Sequence, residues 1–414
     1  MGVLLCIGVL VACQPESDAL PTLLNPDEVS ADTAATIAAD EALITPTAII
    51  PTLPSTALPT RTPLPPPTET PVIPTPTPIG YNERGTLFYI YNGDSITRIN
   101  GDGTDNEIIA TFGVGIEISD LKLSPDGAFL AYIAPGAGSA REVFITTLDG
   151  SYVQQVSCLG FAEVREITWT PNSQSIAFFG AELPTTAGNI YIADVVGSGQ
   201  CPQGNNQRVL YPAQTTDLRD MTFNRDGSIL LYAGAGSQIL AYEVTGEAQA
   251  AVPFTFSSGF GPDLRMAQAP EDDRLAYITT VFDTDTGEYS GGLIVLGNSA
   301  VIPDEPFGQR SEAVKAQILQ WSQPGNLLLI VGEERLYYVN DSLRIVNQNP
   351  LPLAPAGAIS FDETEIAFVI PDRDKNLQIF AYEIETDTVR QITYNPEGTI
   401  EDMVWITSPI QETP

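Results

Sequence analysis

The sequence predicts an all-β fold, a closed ring of seven four-stranded antiparallel blades, and three observations carry the prediction. One phrase recurs as LKLSPDGAFLAY at Leu121–Tyr132, ITWTPNSQSIAF at Ile167–Phe178 and MTFNRDGSILLY at Met221–Tyr232. Weaker copies follow at Arg265–Tyr277, Leu319–Ile330 and Ile359–Phe368. Each copy is trailed by further alternating apolar and polar runs. A last half-copy, Met403-Val404-Trp405, stands near one end, and three strand-like runs without a first strand stand at the other. Self-similarity at a period of about 40 to 55 residues marks units that cannot bury their faces alone and must stack on neighbours.

Within each copy, an apolar anchor precedes a tight Pro-Asp-Gly or Arg-Asp-Gly turn, and a β-branched and aromatic run follows. This pattern is a β-hairpin, with Asp and Gly supplying the turn conformations. The anchors are placed at Leu123, Trp169, Phe223, Ala267, Trp321 and Phe361, with a seventh at Trp405. Third strands are expected at Glu142–Thr146, Asn189–Ala193, Gln238–Tyr242 and Gln378–Tyr382, and short fourth strands at Tyr152–Val156 and Val389–Thr393. Four antiparallel strands per unit make a β-propeller blade. Gly85–Tyr91, Ser95–Ile99 and Glu107–Ala110 supply the three strands that the final innermost strand lacks. One sheet drawn from both ends of the chain thus closes the ring and removes exposed edges. The weak copies at Ala267 and Trp321 leave six or eight blades as alternatives.

The Ser-Pro-Asp-Gly turn at Ser124–Gly127, followed by Leu-Ala-Tyr, resembles the WD40-like repeats of the TolB propeller domain. Leu148-Asp149-Gly150 and Asn100-Gly101-Asp102-Gly103 are similar to the Asp-Gly turns of that family. Asn172-Ser173, Arg225-Asp226 and Phe361-Asp362 depart from its pattern. The resemblance covers the propeller and implies the fold. Nothing here matches the separate α/β domain of TolB, so its partners do not carry over.

Residues Gly2–Ala12 are almost wholly apolar, and Leu10-Val11-Ala12-Cys13 resembles the lipobox of bacterial lipoprotein precursors. The resemblance implies lipidation of Cys13 and cleavage just before it, making 1–12 a signal peptide, although basic residues before the apolar run are missing. The run is too short to span a bilayer as a helix. Residues 13–79 read as a disordered tether; from Ile44 to Pro78 they are nearly all Pro, Thr and small apolar residues. Such a segment favours extended polyproline II and has too little apolar bulk for a core. The propeller is expected over 80–408, with a tail at 409–414. The expected location is extracytoplasmic, lipid-anchored to the bacterial cell membrane.

Composition narrows the chemistry. The net charge is −34, from 18 basic and 52 acidic residues, which disfavours nucleic-acid partners. The sequence contains no His, so Ser-His-Asp and Cys-His relays, His-ligated zinc and imidazole proton shuttles are excluded. No cofactor is expected. Cys158 and Cys201, in an exported domain, form a candidate disulfide. The runs Asp283–Glu288, Asp372–Asn376 and Asn100–Asp105 imitate calcium loops but read as hairpin turns.

One constellation points to binding. Asp120, Glu166, Asp220 and Asp402 each precede an innermost-strand anchor by three residues, with Asp263 one place out of register. Equivalent positions in a ring point alike, so these carboxylates should converge at one mouth of the channel. There they would take a divalent cation, an amine or a basic peptide. The expected function is a non-catalytic, monomeric surface binding or scaffold lipoprotein for a protein, peptide or glycan. An envelope-assembly subunit is the alternative, and a carboxylate-dependent glycan-active enzyme is a more distant one. Propellers also precede the catalytic domain of prolyl oligopeptidase-like peptidases; the chain ends at Pro414, which is read as leaving no room for that domain. If Cys13 carries the lipid, Cys13→Ala is expected to release the protein from the membrane fraction or leave it unprocessed. Persistent fatty-acid labelling of that variant would refute the anchor.

Overall fold

The computed structural model describes residues 83–406, with breaks at 114, 137–139, 162, 196–206, 217, 235–237, 245–251, 254–264, 284–287, 301–309, 314–315, 333–334, 341–344 and 351–355. Cys13, the Pro/Thr-rich segment and Cys201 lie outside the described residues. The described strands form seven four-stranded sheets, and every neighbouring pair is antiparallel. The innermost strands of blades 1 to 7 are Ser119–Leu123, Glu163–Trp169, Asp220–Phe223, Met266–Gln268, Ala316–Trp321, Gly357–Ile359 and Ile400–Ile406. Blade 7 continues with Thr86–Tyr91, Ser95–Asn100 and Glu107–Thr111, so both ends of the propeller share one sheet.

One backbone hydrogen bond aligns the blades. The N–H of Ser124 donates to the Phe129 carbonyl at 2.9 Å, closing the turn, and Thr170, Asn224, Ala269, Ser322 and Ser360 make the same bond in blades 2 to 6. The anchor is the residue just before. Two expected anchors are therefore corrected: Gln268 replaces Ala267, and Ile359 replaces Phe361. Phe361 occupies the place of Pro125 inside the turn and is exposed. Its aromatic ring imitated an anchor because Ser360-Phe361-Asp362 lacks the proline that follows Ser124, Thr170 and Ala269. The Asp of the turn is functional in folding: Asp126 accepts from Ser124 Oγ at 2.6 Å, and Asp362 from Ser360 Oγ at 2.7 Å.

The departures from glycine at the end of this turn have a physical compensation. Gly127 and Gly227 have positive φ, as do Ser173 (59°) and Glu363 (58°). A side chain in this left-handed region is strained. Ser173 Oγ accepts the N–H of Asp126 in the preceding blade at 3.0 Å. Glu363 likewise accepts from Ser322 Oγ at 2.5 Å and from the Asn326 N–H at 3.1 Å. Each strained residue thus ties its blade to the one before it.

The three Trp residues all occupy anchor positions and are buried. An indole N–H buried without a partner would be costly. Trp169 Nε1 donates to the Lys122 carbonyl of the preceding blade at 3.2 Å, and Trp321 Nε1 to Ala267 at 3.0 Å. Trp405 Nε1 donates to Arg84 at 2.8 Å. Apolar clusters fill the spaces between blades, for example Ile145, Val164, Phe178 and Phe223 across blades 1 to 3.

Closure is the register Leu87↔Trp405 and Phe88↔Val404. Gly85, at φ 71°, carries the chain into this sheet; a β-carbon there would come 2.2 Å from the Ile406 carbonyl oxygen. Arg84 also reaches the buried Glu365 of blade 6 at 2.5 Å, where Arg390 binds both carboxylate oxygens. Truncation before Glu401 removes most of an innermost strand and a buried Trp, whose side chain alone contributes about 3 to 5 kcal/mol. A loss of at least that size is expected in urea unfolding, and Gly85→Ala should cost about 2 kcal/mol or more from backbone strain and overlap. An unchanged midpoint for either variant would refute this closure.

Candidate functional site at the channel mouth

The innermost strands begin at the mouth opposite the Asp-containing turns, and the acidic arc is built at their beginnings. Asp120, Glu166 and Asp402 have φ of 63°, 53° and 38°. Each falls where pairing with the second strand slips by a residue: between Ser119 and Lys122, between Arg165 and Thr168, and between Met403 and Glu401. These are β-bulges, which re-aim a side chain away from regular pleating. The freed carboxylates turn along the ring. Asp402 Oδ2 accepts the N–H of Asp120 at 2.8 Å and of Leu121 at 3.3 Å. Asp120 Oδ2 accepts the N–H of Glu166 at 2.7 Å, and Asp220 Oδ2 the N–H of Met266 at 2.6 Å. Three of the four acids therefore hold the first residues of the next blade.

Lys122, two residues beyond Asp120, is exposed within the channel and completes the electrostatics. Crowding by the protein pushes its pKa down, but Asp120, Asp220, Asp402 and Glu166 together push it further up, and the ammonium is stabilised. That one lysine feels all four acids, so the structure brings Asp120, Glu166, Asp220 and Asp402 into a single field. Asp263 lies outside the described residues. Blade 4 instead offers Arg265 at the equivalent position, and blades 5 and 6 offer Ile318 and Ala356. The arc thus runs over blades 7, 1, 2 and 3 and ends in a base.

The carboxyls answer to burial first. Asp120 is raised by desolvation against the lowering effect of Lys122, and Asp220 in the same way. Glu166 is raised well above the usual carboxylate range by desolvation and then by Asp120 and Asp220, with Arg265 and Lys122 opposing. Among the described residues no group of three or more acidic or Cys side chains is placed to hold a metal ion. Lys122 and Arg265 are the basic side chains within this field. Sequence reasoning missed both bases; the available signal was that Lys122 is one of three lysines in the chain and shares a strand with Asp120.

The other candidates resolve locally. Asp372 Oδ1 accepts the N–H groups of Asp374 and Asn376 at 2.8 and 3.0 Å, an ordinary polar hairpin turn. Asp102 Oδ1 does the same for Thr104 at 2.9 Å. Thr284–Gly287 lie outside the described residues. Cys158 is disulfide-bonded; the expected partner, Cys201, lies outside the described residues. Cys158 sits in a loop held by buried Glu142, which accepts from Ser157 Oγ at 2.5 Å and the Gly160 N–H at 2.7 Å. No helix among the described residues is long and apolar enough to cross a membrane.

No family model matches the chain, and no curated protein matches it. Many solved structures do match. A puromycin hydrolase variant complexed with PGG is similar over 79% of this chain and 54% of its own, at 13% identity and a TM-score of 0.54. A structure from a study of two prolyl endopeptidases is similar over 78% of this chain and 49% of its own, at 14% identity and 0.50. The chain spans about half the length of these two proteins. TolB from Acinetobacter baumannii is similar over 77% of this chain and 81% of its own, at 13% identity and 0.44. At these identities the likeness is one of fold alone.

The pKa directions give a signed prediction. A carboxyl raised on folding binds its proton more tightly in the native state, so stability falls as pH rises from the unfolded value through the folded one. The raised Glu166 carboxyl therefore costs stability as pH rises toward neutrality. Glu166→Gln should stabilise the fold there and flatten that fall. Lys122 is raised, so its contribution is complete below its unfolded value and is lost as pH climbs through the folded value. Lys122→Met should destabilise at pH 7 by about 2 kcal/mol, less than a sealed buried pair because channel water screens it. The deficit should shrink as acid neutralises the arc. Thermal melts from pH 4 to 9 read both effects; a pH-independent deficit for Lys122→Met would refute the coupling.

Proposed function

We propose that this protein is a non-catalytic binding module, carried outside the cytoplasm on a lipid-anchored stalk, that grips a basic segment of a partner protein at the acidic mouth. The observation that carries the reading is the arc itself. Four acidic side chains from successive blades share one field with two bases, Lys122 and Arg265, a formal excess of acid at the mouth. Glu401, raised by burial and then by Asp402 and Glu117, adds to that charge. A concave acidic surface on a chain of net charge −34 steers cationic partners and repels anionic ones.

Two further points support the reading. The described chain enters the propeller at Arg84 and Gly85, paired with the Ile406 end of the closing strand. This is the face of the tight turns, opposite the acidic mouth. The sequence also contains no His, so its residues cannot build a Ser-His-Asp relay.

Fluorescence anisotropy of a labelled lysine-rich peptide with the full chain tests the proposal. Binding is expected to weaken steeply with salt, and about fivefold in Glu166→Gln, a variant expected to be more stable than the parent. Failure of the peptide to bind, or binding indifferent to both salt and the substitution, would overturn it.

A further inference from the structure

The sequence holds two Asn-Gly dipeptides, Asn92-Gly93 and Asn100-Gly101, and both lie on hairpin turns of blade 7. An asparagine before glycine can lose its side-chain amide. The following backbone nitrogen attacks the side-chain carbonyl carbon, and glycine has no β-carbon to hinder the approach. The structure gives the two pairs opposite surroundings. The Gly101 N–H donates to the Gly85 carbonyl at 2.8 Å, and a β-carbon on Gly101 would come 2.3 Å from the Arg84 carbonyl oxygen. Asn100 Nδ2 donates to Thr104 Oγ1 at 2.9 Å and to Asp105 Oδ2 at 2.8 Å. The nucleophile and the leaving amide of this pair are both held.

Asn92-Gly93 is open where Asn100-Gly101 is closed. Asn92 is exposed, and a β-carbon on Gly93 would meet nothing within 4 Å. Among the described residues, neither the Gly93 N–H nor Asn92 Nδ2 donates a hydrogen bond. Asn92 Oδ1 accepts the Thr399 N–H at 3.2 Å, a bond that stabilises negative charge on this oxygen as its carbon is attacked. The same turn is a clasp. Asn92 donates its own N–H to the Thr399 carbonyl at 3.0 Å, and the Gly93 carbonyl accepts the Ile118 N–H at 2.6 Å. Thr399 immediately precedes the innermost strand of blade 7, and Ile118 that of blade 1. Those two strands carry Asp402 and Asp120.

We infer that Asn92 is a site of spontaneous deamidation through a cyclic imide, and that its isoaspartyl product unclasps the starts of the innermost strands of blades 7 and 1. The Gly93 nitrogen bonds to Asn92 Cγ, the Cγ–Nδ2 bond breaks, and ammonia leaves with the proton that Gly93 gives up. Water then opens the imide at either carbonyl. Opening at the α-carbonyl routes the main chain through the former side chain, adds a methylene to the backbone and leaves a free carboxylate. The lengthened turn no longer fits Thr399 and Ile118 together, and a negative charge is added at the mouth where the acidic arc stands.

Ageing the full chain at mildly alkaline pH, followed by peptide mapping by mass spectrometry, tests the site. In the folded chain Asn92 should convert about tenfold faster than Asn100, the factor that one retained hydrogen bond imposes. In urea the two should convert at similar rates. The amides of Thr399 and Ile118 should exchange hydrogen about tenfold faster in the aged chain than in the fresh one. Freshly prepared Asn92→Asp, which carries the new charge on an unaltered backbone, should keep both amides slow. Asn92 as persistent as Asn100 in the folded chain overturns the site. Exchange at Thr399 and Ile118 that ageing leaves unchanged, or that Asn92→Asp quickens as much, overturns the unclasping.

Discussion

The ring depends on one pairing, that of Ile400–Ile406 with Thr86–Tyr91. Six blades are consecutive hairpins whose contacts are local, and they could stack as an open array. Only the seventh joins residues more than 300 positions apart, and it does so around a buried tryptophan and a glycine that leaves no room for a β-carbon. Closure removes two sheet edges at once, and it fixes the curvature that brings seven innermost strands around one axis. The Arg84–Glu365–Arg390 cluster adds a charged seam on the blade 6 side of the same junction.

That geometry gives the channel mouth its character. Carboxylates at the starts of successive innermost strands would repel one another in any arrangement, and their left-handed bulged backbone is itself unfavourable. Both costs are offset across the blades. Asp402, Asp120 and Asp220 each capture backbone N–H groups of the following blade, and Lys122 lies within reach of the whole arc. The acids thus contribute to assembly and to the field at the mouth together. Glu166 is the exception that reveals the balance: it is the carboxyl raised furthest, flanked by two other acids.

Much of this was legible in the sequence because the repeat is written in turns. Asp-Gly and Asx-closed hairpins have local causes, so the hairpins at Leu123, Trp169 and Phe223 and the three strands donated to blade 7 could be placed from residue patterns alone. Where the turn lost its proline, as at Ser360-Phe361-Asp362, an aromatic residue stood in for the anchor and the register slipped by two. The acidic arc was legible as an offset, because equivalent positions in a ring point alike. Lys122 was not, since its role depends on four residues from four blades meeting it, a relation with no local trace.

The position of Thr86–Tyr91 within its sheet also governs how the domain bears load. This strand receives the chain from residues upstream and is flanked on both sides, by Ile400–Ile406 and by Ser95–Asn100. Tension drawn along it is opposed by two hydrogen-bonded ladders loaded in shear, where bonds resist together, rather than by an edge that peels one bond at a time. A pull that enters the domain at this strand is therefore resisted in shear by both neighbouring strands at once.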